Sequence, residues 1–104
     1  MNDILSAVTT DEDLTNEFKN FLKLTYDEKE RQIILTERKF LIASLKIFFE
    51  LTYGIYFITS VHSVEIFKRT KVENFLITTI SNNNFNMLLS DTIKTIIKYI
   101  KQPF

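Results

Sequence analysis

Ile55-Tyr56-Phe57-Ile58-Thr59-Ser60-Val61 is the stretch that decides the fold class of this 104-residue chain. Its β-branched and aromatic residues are typical of a β-strand. The later stretch Asn74-Phe75-Leu76-Ile77-Thr78-Thr79-Ile80 has a similar composition. Strands near 55–61 and 74–80 would make the protein α+β, whereas helices at both places would make it all-α.

The motif Thr70-Lys71-Val72-Glu73, just before the second stretch, favours a helix. It has the spacing of a capping box, in which a Thr hydroxyl and a Glu carboxylate each accept a backbone N–H at a helix start. Gly54 is the only glycine, so no glycine suited to a hairpin turn lies between the two stretches. The apolar residues from Val72 to Ile80 also keep helical spacing. We therefore predict an all-α fold, a compact bundle of four to five helices, with α+β as the alternative.

Two more motifs of the same form predict helix starts nearer the N-terminus. They are Thr9-Thr10-Asp11-Glu12 and Thr25-Tyr26-Asp27-Glu28. A further helix is expected from about residue 85 to residue 101, after a turn at 81–84 that is rich in Asn. At this length we predict one helical domain over residues 1–104, with a frayed tail at 1–8.

The central helix is predicted from Phe40 to Leu51, where almost every helix face is apolar. A helix that is hydrophobic all round is buried all round. The apolar run at 40–61 is long enough to span a bilayer. However, Lys46 and Glu50 lie inside it and oppose insertion. We therefore predict a buried core helix and no membrane association.

The composition excludes most common active sites. The chain has no Cys, one His and one Gly, which removes disulfides, thiolate metal sites and glycine-rich phosphate loops. The single histidine, His62, has only Glu65 nearby in sequence and lacks a second partner for catalysis. We therefore expect no enzymatic activity, no metal and no cofactor. The absence of Cys and of a secretory signal also predicts a cytoplasmic protein.

The charges are unevenly distributed along a chain whose net charge is zero. The first 37 residues contain nine acidic and four basic residues, and the remainder contains four and nine. The basic residues that could contact nucleic-acid phosphates form a cluster and a helical stripe. They are Lys68, Arg69, Lys71, Lys94, Lys98 and Lys101. A small DNA- or RNA-binding regulator is therefore the alternative function.

The favoured function is protein–protein interaction. Ten Phe and four Tyr are many for a small domain to bury, so some should remain exposed unless a partner covers them. We expect a homodimer formed through the segments after Gly54, with four phenylalanines as candidate interface residues. They are Phe57, Phe67, Phe75 and Phe85. A composition rich in Ile, Asn and Lys and poor in Ala is associated with AT-rich genomes, which suggests a virus- or phage-encoded regulatory or inhibitory factor.

The order of segments along the chain resembles that of a known family. Leu35-Thr36-Glu37-Arg38-Lys39-Phe40-Leu41 follows a charged segment, precedes the long apolar helix, and is followed later by a helix ending in Tyr99. This order resembles the helical domain of GINS-type replication-factor subunits. The resemblance implies a helical subunit of a replication complex.

Overall fold

The protein consists of four α-helices and a three-stranded antiparallel sheet within the residues that its computed structural model describes, 10–85 and 89–100. The strands follow one another in a simple meander, in the order β1-β2-β3. The elements are α1 (Asp11–Thr25), α2 (Glu28–Thr36), α3 (Arg38–Tyr53), β1 (Ile55–Thr59), β2 (Ser63–Arg69), β3 (Asn74–Ser81), a 3₁₀ turn (Asn82–Asn84) and α4 (Leu89–Ile100).

The predicted all-α bundle is therefore wrong, and the chain has the α+β fold that the sequence offered as the alternative. Both ambiguous stretches, near 55–61 and 74–80, form strands. The sequence did not predict β2, which lies between them and pairs with both.

The two turns of the meander explain the error, because hydroxyl side chains close them without glycine. Ser60 Oγ accepts the backbone N–H groups of His62 and Ser63, each at 3.2 Å. Thr70 Oγ1 accepts the N–H of Glu73 at 3.0 Å, and the Thr70 N–H donates to the Glu73 carbonyl at 3.2 Å. The Thr70 hydroxyl therefore makes the bond expected of a helix cap, but it does so in a turn between strands.

Gly54 ends α3 and begins the sheet. Its φ of 65° lies in the left-handed region that glycine adopts most easily. The Gly54 N–H donates to the Glu50 carbonyl at 3.2 Å, and the Gly54 carbonyl accepts the Arg69 N–H at 2.9 Å. This one residue therefore links the last turn of the helix to the first ladder of the sheet.

The helix starts differ from the predicted caps by one or two residues. Thr10 caps α1, and its Oγ1 accepts the Asp13 N–H at 3.0 Å. Asp27 forms a full capping box with Glu30 at the start of α2, so the prediction of a cap at Thr25 was wrong. The backbone turns to an extended conformation at Glu37, and this break separates α2 from α3.

The helices cover one face of the sheet, and the core lies between the two layers. Side chains alternate along β1 and β2, so that two residues of each strand are buried and the residue between them is not. An extra residue in β3, opposite the step from Ile66 to Phe67, forms a bulge. The buried sheet residues are Ile55, Phe57, Val64, Ile66, Ile77 and Ile80.

Helix α3 is central, but it is not buried on all sides. Leu41, Leu45 and Phe48 are at most 2% exposed. Phe40 and Leu51 in contrast keep 43% and 75% of their surface. The prediction of a helix buried all round was therefore correct only for the side that contacts α2, β1 and α1.

Helix α4 packs against both α1 and β3, and so joins the two ends of the described chain. Its buried side is formed by isoleucines, with Lys94 and Lys98 exposed. The isoleucines are Ile93, Ile96, Ile97 and Ile100. The predicted frayed tail at 1–8 lies outside the described residues.

Candidate functional site

The structure gives the four predicted interface phenylalanines different environments. Phe57 is 3% exposed and packs against Phe49, with 5.3 Å between ring centroids, so it belongs to the core. Phe85 is half-buried beneath the Arg38 guanidinium. Phe67 and Phe75 remain on the surface of the sheet, and Phe75 is 44% exposed. Phe67, Phe75 and Phe85 therefore each keep some exposed surface, whereas Phe57 is excluded from an interface of the folded protein.

The sheet face turned away from the helices exposes a band of apolar side chains, which we call the outer-face patch. Its residues are Tyr56, Ile58, Phe67 and Leu76. Tyr56 and Phe67 lie opposite each other on β1 and β2 and stack with 5.2 Å between ring centroids. Leu76 follows on β3 opposite Phe67 and is 51% exposed. The patch therefore runs across all three strands and reaches the free side of β3.

The free side of β3, which we call the β3 edge, pairs with no strand in the described part of the chain. β3 is eight residues long and contains no charged residue, Pro or Gly. Unpaired N–H and C=O groups on such an edge are ready to pair with another strand. Leu76 lies on β3 and belongs to the patch, whereas the predicted interface residue Phe75 lies on the opposite face of β3, across from Lys68. The edge and the outer-face patch are therefore one continuous surface.

Two of the basic residues predicted to bind nucleic acid make contacts within the protein. Lys68 Nζ donates to the Tyr53 carbonyl at 2.7 Å, at the end of α3. Arg69 Nη1 pairs with Glu50 Oε2 at 2.8 Å, and the Arg69 guanidinium lies 5.0 Å from the ring centroid of Tyr56. The cluster that includes these residues therefore stabilises the junction of α3 with the sheet.

The other basic residues predicted to bind nucleic acid are exposed or lie outside the described residues. Lys71 is exposed in the turn between β2 and β3, Lys94 and Lys98 are exposed on α4, and Lys101 lies outside the described residues. Nucleic-acid binding stays a prediction, and a salt titration of binding to random duplex DNA would test it.

Sequence reasoning missed a basic pocket of about 410 Å³ between α3, the turn after β1 and the 3₁₀ turn. Three cations line it: Arg38, Lys39 and Lys46. The other lining residues, Ile42, Ala43, Thr59, Ser60, Val64 and Asn82, are apolar or neutral and polar. The signal in the sequence was three bases on one helix at i, i+1 and i+8, which also fits an ordinary exposed helix face.

Hydrogen bonds tie the walls of the basic pocket to one another. Arg38 Nη2 donates to the Asn82 carbonyl at 3.3 Å. Asn82 Nδ2 donates to the Ser60 carbonyl at 3.0 Å, and the Asn82 N–H donates to the His62 carbonyl at 2.9 Å. The start of α3, the 3₁₀ turn and the turn after β1 are therefore held together around the pocket.

A second cavity, an apolar groove of about 310 Å³, separates α2 from α3. Ile33, Phe40 and Ile47 line it, and each keeps 43–46% of its surface exposed. Ala43 lines both this groove and the basic pocket. The two cavities therefore flank the exposed side of α3.

Groups with potential for acid–base or metal chemistry are sparse in the described part of the chain. No cluster of three His, Asp or Glu side chains that could hold a metal occurs there. His62 is exposed in the turn after β1. Tyr53 Oη donates to Glu17 Oε2 at 2.5 Å, and burial followed by this bond and the Glu17 charge raises the pKa of Tyr53. This pair joins the end of α3 to α1.

Comparisons with protein families, curated proteins and solved structures found no match to this chain. The resemblance to GINS-type subunits consequently has no support beyond the order of segments. Within the described residues, no helix is both long enough and apolar enough to cross a membrane.

Proposed function

We propose that this protein acts without catalysis, by binding another protein chain through the β3 edge and the outer-face patch. In its simplest form the bound chain is a second copy whose β3 pairs with the first. The observation that carries the proposal is the uncharged eight-residue β3, whose free side has no partner strand in the described residues. Such a module suits a regulatory or inhibitory factor that works by occupying its target.

The two edges of the sheet differ in how well they are protected against pairing. Natural proteins protect edges with short strands, charged residues, Pro or bulges. β1 is only five residues long, whereas β3 has eight residues and, of these devices, carries only its bulge. β3 is therefore the edge strand that is less protected against pairing with another strand.

A second copy is a suitable occupant because two identical strands meet the requirements of a two-fold contact. In such a contact the same surface is used by both subunits, and antiparallel pairing of β3 with itself satisfies this. Like charges opposed across a ladder are destabilising, and β3 contributes none. Two β3 edges from two copies of the protein can therefore pair without charge repulsion between the strands.

The size of the surface predicts a weak rather than an obligate dimer. Pairing of β3 with a second β3 joins the two sheets edge to edge, so the contact is confined to a strip about 27 Å long, the length of eight residues at roughly 3.4 Å each. A strip one strand wide covers far less than the ~800 Å² that each partner contributes to a standard interface. Backbone hydrogen bonds along β3 would supply the rest of the affinity, as in other cases of strand addition.

Sedimentation equilibrium of the full chain at about 10–300 μM, a range that brackets weak association, tests the proposal. We expect a concentration-dependent shift from 12.3 kDa towards the dimer mass. Leu76→Lys should abolish the shift, because it places a charge on the β3 edge at a side chain that is 51% exposed.

The matched control is Val61→Lys, which adds the same charge at a residue that is 85% exposed in the turn between β1 and β2, outside the patch and the β3 edge. It should leave dimer formation intact. A chain that stays at 12.3 kDa throughout would refute the second copy as the occupant. A dimer that survives Leu76→Lys would overturn the assignment to β3.

A further inference from the structure

We infer that the basic pocket binds the phosphate group of a small phosphorylated molecule of about nucleotide size. The inference is independent of strand pairing, because none of the pocket's lining residues belongs to β3.

The charge of the pocket favours an anion. Arg38, Lys39 and Lys46 line it, and no acidic side chain does. Like charges brought together in one concave site repel one another, and a bound anion relieves that repulsion. In the described part of the chain none of the three cations forms an ion pair, since the salt bridge found there joins Arg69 to Glu50.

Lys46 shows how the fold keeps the pocket cationic. Glu50 lies four residues after it on α3, the spacing at which a helical ion pair is expected. Glu50 instead pairs with Arg69 at 2.8 Å, at the junction of α3 with the sheet. The carboxylate nearest to Lys46 in sequence is therefore engaged elsewhere, and Lys46 is left to face the pocket.

Arg38 is held in place before any ligand arrives. Its Nη2 donates to the Asn82 carbonyl at 3.3 Å, and its guanidinium lies 5.9 Å from the ring centroid of Phe85. A guanidinium has five N–H donors in a planar fork that matches phosphate oxygens. The observed bond leaves most of these donors for a ligand, and a pre-positioned donor loses less entropy on binding.

The size and walls of the pocket favour a small molecule over a bare ion. Small-molecule pockets typically measure about 300–1,000 Å³ and combine apolar walls with a few polar groups. This one measures about 410 Å³ and has apolar walls from Ile42, Ala43 and Val64. Thr59 adds a hydroxyl group at the other side, next to Ser60, whose own hydroxyl is bonded within the turn after β1. A nucleoside diphosphate has the phosphate and the flat apolar part that such a site would accept.

Amide NMR of the full 12.3 kDa chain can test this inference directly. We expect ADP and pyrophosphate each to shift the backbone amides of Thr59, Ser60 and Asn82 in a saturable way. ADP should bind more tightly, because the pocket's apolar walls add contacts that pyrophosphate lacks. Lys46→Gln should weaken ADP binding by about tenfold, the loss expected for one charge-assisted hydrogen bond.

Lys39→Glu is a second variant that should lose binding without unfolding, since an acidic residue is favoured in the first turn of a helix. The control is Lys94→Gln, which removes an equally charged but exposed lysine from α4 and should leave ADP affinity unchanged. Leu76→Lys should also leave it unchanged, so that failure of strand pairing and failure of anion binding are distinguishable.

Three results would overturn the inference. The first is the absence of shifts at the pocket amides with both ADP and pyrophosphate. The second is wild-type affinity in both Lys46→Gln and Lys39→Glu. The third is a response confined to random duplex DNA of about 20 base pairs, which would assign the cations to nucleic-acid phosphates instead.

Discussion

Gly54 is the residue at which the chain changes from helix to strand, and its backbone explains why no other residue would serve as well. A φ of 65° costs an ordinary residue roughly 1–2 kcal/mol. A Cβ at this position would meet Lys68 Nζ at 3.3 Å, the same atom that caps the Tyr53 carbonyl. From the sequence, Gly54 stood out as the single glycine of the chain, and its role as a helix end with a positive φ required the structure.

The Tyr53 phenol makes stability sensitive to alkaline pH. Its pKa is raised in the folded protein, while in the unfolded chain it returns to about 10. Above pH ~10 the unfolded chain therefore loses a proton that the folded protein keeps, so this group's contribution to stability is complete below that pH and falls as pH rises. We expect Tyr53→Phe to flatten the loss of unfolding free energy between about pH 9 and pH 11.

Urea denaturation at several pH values measures this effect. Glu17→Gln is the matched variant, because it removes the charge but keeps a hydrogen-bond acceptor for Tyr53 Oη. In Glu17→Gln, the decrease of unfolding free energy with pH should be intermediate between those of the wild type and Tyr53→Phe. A Glu17→Gln slope equal to that of the wild type would show that Glu17 does not influence the ionisation of Tyr53, and identical slopes in all three proteins would show that this ionisation is not linked to folding.

At the scale of the element, the turn between β2 and β3 shows why the fold class was mispredicted. Thr70 and Glu73 have the spacing of a capping box, and the Thr70 hydroxyl does accept the Glu73 N–H. At a helix start and in a tight turn alike, the N–H group three residues after the Thr lacks a backbone acceptor. A Thr hydroxyl can accept that N–H in either structure. Local pattern could not separate them. Residues 74–81 form a strand because β2 pairs with both β1 and β3, and these contacts between strands are not visible in the local sequence.

Thr70→Ala should therefore destabilise the hairpin rather than a helix. It removes the acceptor that closes the turn, at an expected cost of about 0.5–1.5 kcal/mol for a net hydrogen bond. Lys71→Ala, in the same turn and fully on the surface, is the control and should change stability by less than about 0.5 kcal/mol. Chemical denaturation measures both values. If hydrogen exchange then showed amides of a helix, not those of β2 and β3, losing protection in Thr70→Ala, the turn would not be the element that Thr70 stabilises.

At the scale of the whole molecule, Phe48 is the centre of a cluster of aromatic side chains that packs α3 against α1. It is 2% exposed, and four other aromatic rings lie within 6.2 Å of its ring centroid. They are Phe18, Phe21, Phe49 and Tyr53. The sequence predicted this residue as buried from the apolar run around it, and that prediction is confirmed.

Phe48→Ala should cost roughly 3–5 kcal/mol of unfolding free energy, through lost burial and the cavity it leaves. Leu51→Ala, on the same helix but 75% exposed, should cost less than about 0.5 kcal/mol. Urea or guanidinium denaturation of both variants gives the comparison. Equal losses would mean that α3 has no distinct buried side.

The surfaces that could bind ligands were harder to predict than the core, and the reason is geometric. Burial follows from runs and spacing of apolar residues, which a sequence displays, and the apolar run from Phe40 to Leu51 identified the buried residues of α3. The basic pocket depends on Ser60 and Asn82 approaching α3 from segments far away in the chain. Phe57, in turn, was taken for an interface residue because its strand, and therefore its inward direction, was not recognised.

The packing of α4 against α1 has a consequence for the order in which the protein can form. The meander joins neighbours in sequence, whereas contact between residues 11–25 and 89–100 spans most of the chain. During synthesis α1 emerges before α4, and the side of α1 that contacts α4 stays uncovered until α4 has left the ribosome. The nascent chain therefore carries an open apolar surface while the elements between the two helices are made, and chaperone contact in that interval should be concentrated on α1.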